Sequence, residues 1–304
     1  MSTASSWEHP TTLWMNGKLV PWNDGVVHLT SGYAQRGASV FEGIRLYKAS
    51  QPRTHFALGF DEHLERLNQT WRALSLPMSY SNEAIRTGLI ELLSSRQLED
   101  AYCRVTRYLG IRSRENPHEP DCLFIAAYNV PRLFGKPVSC ITSSWRRNGV
   151  ALPAQMKIGG HYFMLSWLKQ QAQQKGVDDA ILLNDRDFVA EATGTAVCLY
   201  IGGEVVTPPV SDGALPSITA RIVLRLAATM GIPTAIRSVH HTELFQASAV
   251  FLAGSLDELR PVNSIDGVSL HTAAQPEAVD DLFRRFETVC CAGRDEGWGS
   301  FIRT

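Results

Sequence analysis

The chain has 304 residues, of which 44% are hydrophobic and 19% charged, with a formal net charge of −1. That is enough chain and apolar content for two domains or one large one, and the near-zero charge gives no reason to expect a nucleic acid or another polyanion as partner. No run reaches the roughly 18 apolar residues of a transmembrane helix, and the opening MSTASSWEHPTT has neither the basic nor the apolar region of a signal peptide.

In chain order, TLWMNGKLVPW reads as two short strands around an Asn-Gly turn. GFDEHLERLNQTWRALSLP reads as a helix capped by Asp61, with Leu64, Leu67, Trp71 and Leu74 on one face. SNEAIRTGLIELLSSRQL is a second helix, capped by Ser81 and carrying Ile85, Leu89, Leu92 and Leu93. AYCRVTRYLG and CLFIAAYNV are strands separated by the polar loop IRSRENPHEPD. The Pro- and Gly-rich PRLFGKP marks a domain boundary. The expected division is a small domain over residues 1–130, an interdomain loop at 131–137 and a large domain over 138–304. Beyond the loop, a helical pattern follows Lys157. DAILLN is a strand, and AVCLYIGGEVVTPP is a hairpin turning at Gly202 and Gly203. LPSITARIVLRLAATMG is a helix with Pro216 near its start and Gly231 at its end. ASAVFLAGSLDELRPV gives two strands broken at Gly254, and PEAVDDLFRRFETVCC a late helix with Val279, Leu282, Phe283, Phe286 and Val289 at helical spacing. There are no internal repeats. The class is mixed α/β, or α+β, in two domains.

Six cysteines, Cys103, Cys122, Cys140, Cys198, Cys290 and Cys291, show no CxxC spacing, and most stand in apolar runs. They read as reduced core thiols of a cytoplasmic protein. His240 and His241 are the only adjacent pair among nine histidines, and no HExxH occurs, so no metal site is expected.

Four stretches carry candidate chemistry. In AQMKIGGHY, Lys157 precedes Gly159 and Gly160. A lysine that joins a carbonyl must be closely approached, and two missing side chains would let a planar cofactor lie against the backbone. A solvated lysine beside a glycine turn is the competing reading. In LPSITARIV, a helix opening at Ser217, Ile218 and Thr219 offers unpaired N–H groups and hydroxyls to an anion, although simple capping by Ser217 accounts for the same residues. Gly254 and Ser255 at a strand end could bring amides to an anion, or mark a bulge. In VAEATG, Glu191 lies among apolar residues just before a strand and needs a cationic partner, either a protonated pyridine or an internal arginine. In HLERL, Arg66 adjoins the apolar stripe and could clamp an anion from a half-buried position; a surface arginine is the alternative.

RGASVFEGIRLY, SSWRRNG…ALPAQMKIGGHY, VAEATG, VVTPPVSDGALPSIT and VFLAGSLDELRPV stand in one order and spacing. On these five motifs, from about Thr12 to the terminal WGSFIRT, the chain resembles the class-IV aminotransferases, the fold-type IV pyridoxal-phosphate enzymes, and among them the branched-chain-amino-acid aminotransferases. The resemblance implies a two-domain fold of that type with pyridoxal 5′-phosphate as cofactor. Lys157, in the large domain, matches the Schiff-base lysine and proton carrier. Tyr162 matches the tyrosine on the cofactor's phenolic oxygen, and Glu191 the acid on the pyridine nitrogen. Arg66, Ile218, Thr219, Gly254 and Ser255 match the phosphate cradle. Arg36, Phe41, Tyr102, Arg104, Gly194, Ser255 and Leu256 fall at substrate positions. A homodimer or higher oligomer is implied as well, with a site that lies between the domains in family members.

The implied activity is ping-pong transfer of an amino group from a branched-chain L-amino acid to 2-oxoglutarate. Several positions depart from the family. EATGTAVC follows the acid where EGAGENLF is usual, and His161 replaces the usual Asn. Arg36 replaces an aromatic residue, while Val130 and Leu133 stand where loop aromatics are usual. Arg36 either lines the pocket or faces solvent or Glu42. The alternatives are a D-amino-acid or amine transaminase, an aminodeoxychorismate-lyase-like enzyme, and a cofactor-free binding subunit, the last disfavoured by the retained Lys157.

Overall fold

The computed structural model describes residues 10–96, 98–113, 118–147, 153–270, 275–291 and 297–304. Most of the opening MSTASSWEHPTT, part of the polar loop after AYCRVTRYLG and the middle of the SSWRRNG…ALPAQ motif lie outside the described residues. The chain divides into two units: Met1–Pro131 with Lys157–Gly160 and Cys290–Thr304, and Arg132–Met156 with His161–Val289. The division is not strictly sequential as expected. A short segment around Lys157 and the end of the chain both pair with strands of the first unit.

In the first unit, strands β1 (Thr12–Met15) and β2 (Lys18–Pro21) form the expected hairpin. Asn16 and Gly17 at its turn have φ of 50° and 92°, the left-handed pair that a two-residue hairpin needs. A short helix α1 (Gly32–Arg36) leads into β3 (Ser39–Lys48) and β4 (Thr54–Leu58). Neither strand was anticipated. All of β3 except Lys48 is buried, so the alternation that betrays a half-exposed strand is missing. Helices α2 (Phe60–Ala73) and α3 (Asn82–Ser94) follow, then β5 (Ala101–Leu109) and β6 (Asp121–Asn129). The chain's last strand, Gly299–Arg303, was also not foreseen and pairs with β4. The seven-stranded sheet runs from that strand through β4, β3, β5, β6 and β1 to β2.

One face of this sheet is covered by helices. Val40, Ile44 and Leu46 of β3 join Leu64, Leu67 and Trp71 of α2 and Ile85, Leu89 and Leu92 of α3 in one apolar cluster. Ser81 caps α3 as expected, accepting the Ala84 N–H. The cap of α2 was misplaced. Gly59, in the left-handed region, precedes the helix, and Asp61 lies in its first turn, where it pairs with Arg86. Leu74 is exposed because it falls beyond the last helical residue.

The second unit contains β7 (Val138–Arg146), the body of α4 (Gly159–Gln174), β8 (Asp179–Leu183), β9 (Val189–Ala192), β10 (Ala196–Ile201) and β11 (Glu204–Thr207). These are followed by α5 (Ile218–Thr229), β12 (Thr234–Ile236), β13 (Ala249–Gly254), β14 (Glu258–Ile265), β15 (Val268–Ser269) and α6 (Glu277–Cys291). Its sheet runs β12, β11, β10, β13, β14, β7, β8, β9, with β15 on the side of β14. Gly202 and Gly203 turn the β10–β11 hairpin with φ of 61° and 84°. Phe283 and Phe286 of α6 are buried and pack on Phe134 of the PRLFGKP segment. Both units are of the mixed α/β class expected from the sequence.

Among the described residues no helix is long and apolar enough to cross a membrane. The six cysteines are free thiols. Burial pushes Cys103 and Cys198 up to about 12, which keeps them protonated and inert.

Candidate active site

The first half of β3 has an open edge, because β4 pairs only with Leu46, Tyr47 and Lys48. The segment carrying Lys157 uses that edge. Val40 bridges Ile158 in antiparallel fashion, and the Phe41 N–H donates to the Lys157 carbonyl at 3.3 Å. Both contacts are made by main-chain groups. The glycine pair has a packing role not seen in the sequence reading. A Cβ on Gly159 would lie 2.1 Å from Ser39 Oγ, and one on Gly37 would lie 3.3 Å from the Gly160 Cα. Gly159 thus serves close approach to the start of β3, whereas a Cβ on Gly160 would meet nothing closer than 3.9 Å.

Residues directly paired across an antiparallel ladder share a face. Gly43 pairs with Arg104 and Arg45 with Tyr102, so Phe41, Gly43, Tyr102 and Arg104 lie together on the face opposite the helices. The Arg104 guanidinium sits 3.7 Å from the Phe41 ring centroid, and Lys157 Nζ is 5.0 Å from it. One aromatic ring therefore lies within cation–π distance of two cations. Tyr102 lies over Gly43, where a Cβ would fall 2.0 Å from its hydroxyl oxygen and 2.6 Å from Cζ. Gly43→Ala is expected to force the Tyr102 ring off this face at a cost of about 1–3 kcal/mol, as overpacking does. Chemical denaturation measures it, and a variant as stable as the parent would show that the ring swings aside freely.

Arg36 does not contact Glu42. Its guanidinium bonds to both carboxylate oxygens of Glu119 at 2.8 and 2.6 Å, with half of the side chain in solvent. Of the settings expected for Arg36, this is the solvent-facing one, with Glu119 rather than Glu42 as its partner.

Glu42 points to the helical face and is fully buried. Arg66 of α2 grips it edge-on, Nε to Oε1 at 2.7 Å and Nη2 to Oε2 at 2.8 Å. His63 Nδ1 meets Oε2 at 2.7 Å. Burial alone would raise the Glu42 pKa, but the charge and hydrogen bonds of Arg66, then those of His63, outweigh it and hold the carboxyl far below its usual range. Burial lowers the His63 pKa more than Glu42 raises it, with Arg66 and Lys157 pushing the same way as burial. Arg66 is therefore neither a surface residue nor a bare anion clamp. It is a guanidinium fixed along one edge.

In the second unit, Glu191 lies within β9 rather than before it, and is buried. Its Oε1 is 3.1 Å from Arg147 Nη2, and its Oε2 accepts the Leu215 N–H at 3.0 Å. Arg147 also donates from Nε to the Gly213 carbonyl. Both readings of Glu191 required a cation, and the described chain supplies the internal arginine. Tyr162, in the first turn of α4, is half-buried against Leu165, Leu168 and Leu182. The neighbouring His161 has a buried Nδ1 with no partner among the described residues, and burial followed by the charge of Arg147 lowers its pKa.

Ser217 Oγ caps α5 by accepting the Ala220 N–H. Helix geometry leaves the N–H groups of Ile218 and Thr219 without intrahelical acceptors, and both residues are buried. Gly254 ends β13 beside Thr195, whose Cγ2 would lie 2.6 Å from an added Cβ. Ser255 and Leu256 form the half-buried turn that follows. Gly194 is exposed, with open space around it. Its neighbour Thr193 is tied down, its hydroxyl donating to the Asp179 carboxylate that Lys169 also holds at 2.9 Å.

These groups fit pyridoxal 5′-phosphate by donor chemistry: an amine, a phenol, a buried carboxylate, helix-terminal amides beside hydroxyls, and a buried imidazole nitrogen with a bond still to make. Donor groups of these types are those expected of a pyridoxal-phosphate-dependent transaminase, and the comparisons with known proteins show that class. A family model described as amino-transferase class IV matches residues 39–265. The branched-chain-amino-acid aminotransferase of Escherichia coli is 27% identical over 296 residues, 94% of this chain and 95% of that protein. A probable branched-chain-amino-acid aminotransferase of Synechocystis sp. is 32% identical over 259 residues, 83% of this chain and 84% of that one. Among solved structures, the branched-chain aminotransferase of the thermophilic archaeon Thermoproteus uzoniensis with norvaline matches with a TM-score of 0.88 at 27% identity, over 96% of this chain and 99% of that chain. The chain belongs to the class-IV aminotransferase family.

Three groups of consequence were missed in the sequence. Arg147 was quoted within a motif without a role, Glu42 was considered only as a partner of Arg36, and His63 was passed over. A charge inside the apolar run SVFEGI was the available signal, since a carboxylate placed there must be paired.

Proposed function

We propose that this aminotransferase takes branched-chain L-amino acids as donors and 2-oxoglutarate as acceptor, acting as a homodimer or higher oligomer in the cytoplasm. The observation that carries the substrate reading is the sheet face bearing Phe41, Tyr102 and Arg104, where the Arg104 guanidinium lies against the Phe41 ring; Arg45 on the same face is committed to the Val130 and Pro131 carbonyls. Apolar donor side chains suit the rings, and a dicarboxylate suits the guanidinium, which grips a carboxylate at two points. The relatives named above support the same reading.

Pyridoxal 5′-phosphate, when bound, supplies an electron sink for the bond being broken at the substrate Cα. Lys157 Nζ would take the proton from the substrate Cα as general base and return a proton as general acid, in opposite order in the two half reactions. The donor leaves as a 2-oxo acid, and 2-oxoglutarate leaves as glutamate, so the amino group is conserved. Glu191, oriented by Arg147 and the Leu215 N–H, would supply the negative charge for the pyridine nitrogen. Tyr162 would supply a hydrogen bond to the phenolic oxygen. Arg66, Ile218, Thr219, Gly254 and Ser255 are the residues that would hold phosphate oxygens. Gly194 and Leu256 contact the substrate.

Arg104→Gln tests the acceptor. KM for 2-oxoglutarate should rise by the equivalent of about 2–4 kcal/mol, the cost of truncating one partner of a desolvated charge pair. KM for pyruvate, which has no second carboxylate, should hardly change. An unchanged preference between the two acceptors would remove Arg104 from substrate recognition. A screen of L- and D-amino acids and amines tests the donor, and preferential turnover of D-amino acids or amines would replace the branched-chain reading.

A further inference from the structure

We infer that Glu42 and His63 are positioning residues for the cofactor phosphate, acting through Arg66. The inference rests on the proposed phosphate role of Arg66, and the geometry adds what that role does not contain. A guanidinium is a rigid planar fork. With Nε and Nη2 both committed to the Glu42 carboxylate, the plane of the group and the direction of its remaining corner are set by a residue on the adjacent strand. An arginine at the end of a flexible stem would otherwise have to be ordered each time an anion binds. Here the ordering is done within the fold, because Glu42 is fully buried on β3 and Arg66 is nearly so on α2.

His63 completes the arrangement. It stands one turn before Arg66 on the same helix, so the two side chains reach Glu42 from consecutive turns. An ionised carboxylate only accepts hydrogen bonds, so the bond at 2.7 Å is donated by the His63 Nδ1–H. Glu42 Oε2 thus receives one donor from each residue, and the carboxylate cannot rotate without breaking both bonds. Leaving this carboxylate unpaired inside the apolar cluster of the first unit would be strongly unfavourable. The three side chains therefore form one unit whose position is fixed by β3 and α2 together.

The test compares two ligands on the full-length protein freed of cofactor, by equilibrium dialysis: pyridoxal 5′-phosphate and pyridoxal, which lacks the phosphate. A residue that positions the phosphate contact changes the ratio of the two affinities, whereas one that only supports the fold weakens both alike. Arg66→Ala should collapse the ratio; if it does not, the phosphate role of Arg66 fails, and the inference with it. Glu42→Gln keeps the size of the side chain but removes the charge that holds the fork. It should weaken pyridoxal 5′-phosphate by roughly tenfold to a hundredfold, the range for losing a partner that only orients a ligand-binding group, with pyridoxal hardly affected. In the Arg66→Ala background Glu42→Gln should do nothing further to the ratio. Should Glu42→Gln fail to fold, His63→Leu and His63→Asn decide by the same ratio. Leu cannot donate and should lower it, while the Asn amide, placed close to where Nδ1 lies, should restore it. A ratio unchanged in Glu42→Gln or His63→Leu, with Arg66→Ala still collapsing it, overturns the positioning role alone.

Discussion

Lys157→Ala is expected to reduce transamination by about 10⁴-fold or more, the upper end of what one positioned proton-transfer group contributes. The structure makes this a clean substitution. The segment is held to β3 by the Phe41 N–H to Lys157 carbonyl bond and the Val40–Ile158 bridge, both of which are main-chain contacts. Removing the side chain takes away the amine and its interaction with the Phe41 ring, while both of these main-chain contacts can stay. The fold and the phosphate contacts should therefore survive, so that the variant still binds pyridoxal 5′-phosphate by dialysis while its turnover is lost. A small primary amine added to the assay should return part of the rate by standing in for Nζ. Wild-type turnover in Lys157→Ala would overturn the role of this residue, and with it the reading of the whole site.

How far the sequence disclosed this arrangement depends on the kind of signal each element carried. Ser81 and Ser217 were legible as caps because a cap is a local contract between a hydroxyl and an N–H three residues on. The glycine hairpin at residues 202 and 203 was legible for the same reason. Asp61 failed as a cap because Gly59, which can take a left-handed φ, starts α2 two residues earlier, and composition alone does not choose between them. Strand β3 failed because burial on both faces erased its period.

At the site, residue types were legible and partners were not. Both the need of Glu191 for a cation and that of Arg66 for an anion could be stated from sequence. Arg147 is 44 positions upstream of Glu191 by its number, and Glu42 is 24 positions from Arg66. Pairings over such separations are decided by sheet register and helix phase, which no local pattern records. The same gap explains Arg36, whose partner Glu119 is 83 positions away. Gly159 shows the same limit: its contact with Ser39, 120 positions away, is a reason for glycine that no local pattern records.

Glu191→Gln is expected to lower turnover by roughly 10²-fold or more, which corresponds to about 2.7 kcal/mol of transition-state stabilisation. Gln keeps the size of the side chain but removes the negative charge that the pyridine nitrogen would face. The ion pair with Arg147 adds a second consequence. Arg147 is buried, and its Nη2 loses a charged partner at 3.1 Å while Nε keeps only the Gly213 carbonyl. Breaking a buried pair from one side costs about 3–5 kcal/mol, so Glu191→Gln should also unfold at lower denaturant. The two effects separate in a companion variant. Arg147→Met removes the cation but leaves the carboxylate, still held by the Leu215 N–H. Its stability should fall by a comparable amount, yet its single-turnover rate with a branched-chain donor should drop less than that of Glu191→Gln, because the charge that serves the chemistry is still present. If the two variants lose rate in proportion to stability, Glu191 acts only as a structural partner of Arg147. If folded Glu191→Gln turns over at the parent rate, some other acid must serve the ring nitrogen, and the assignment of Glu191 fails.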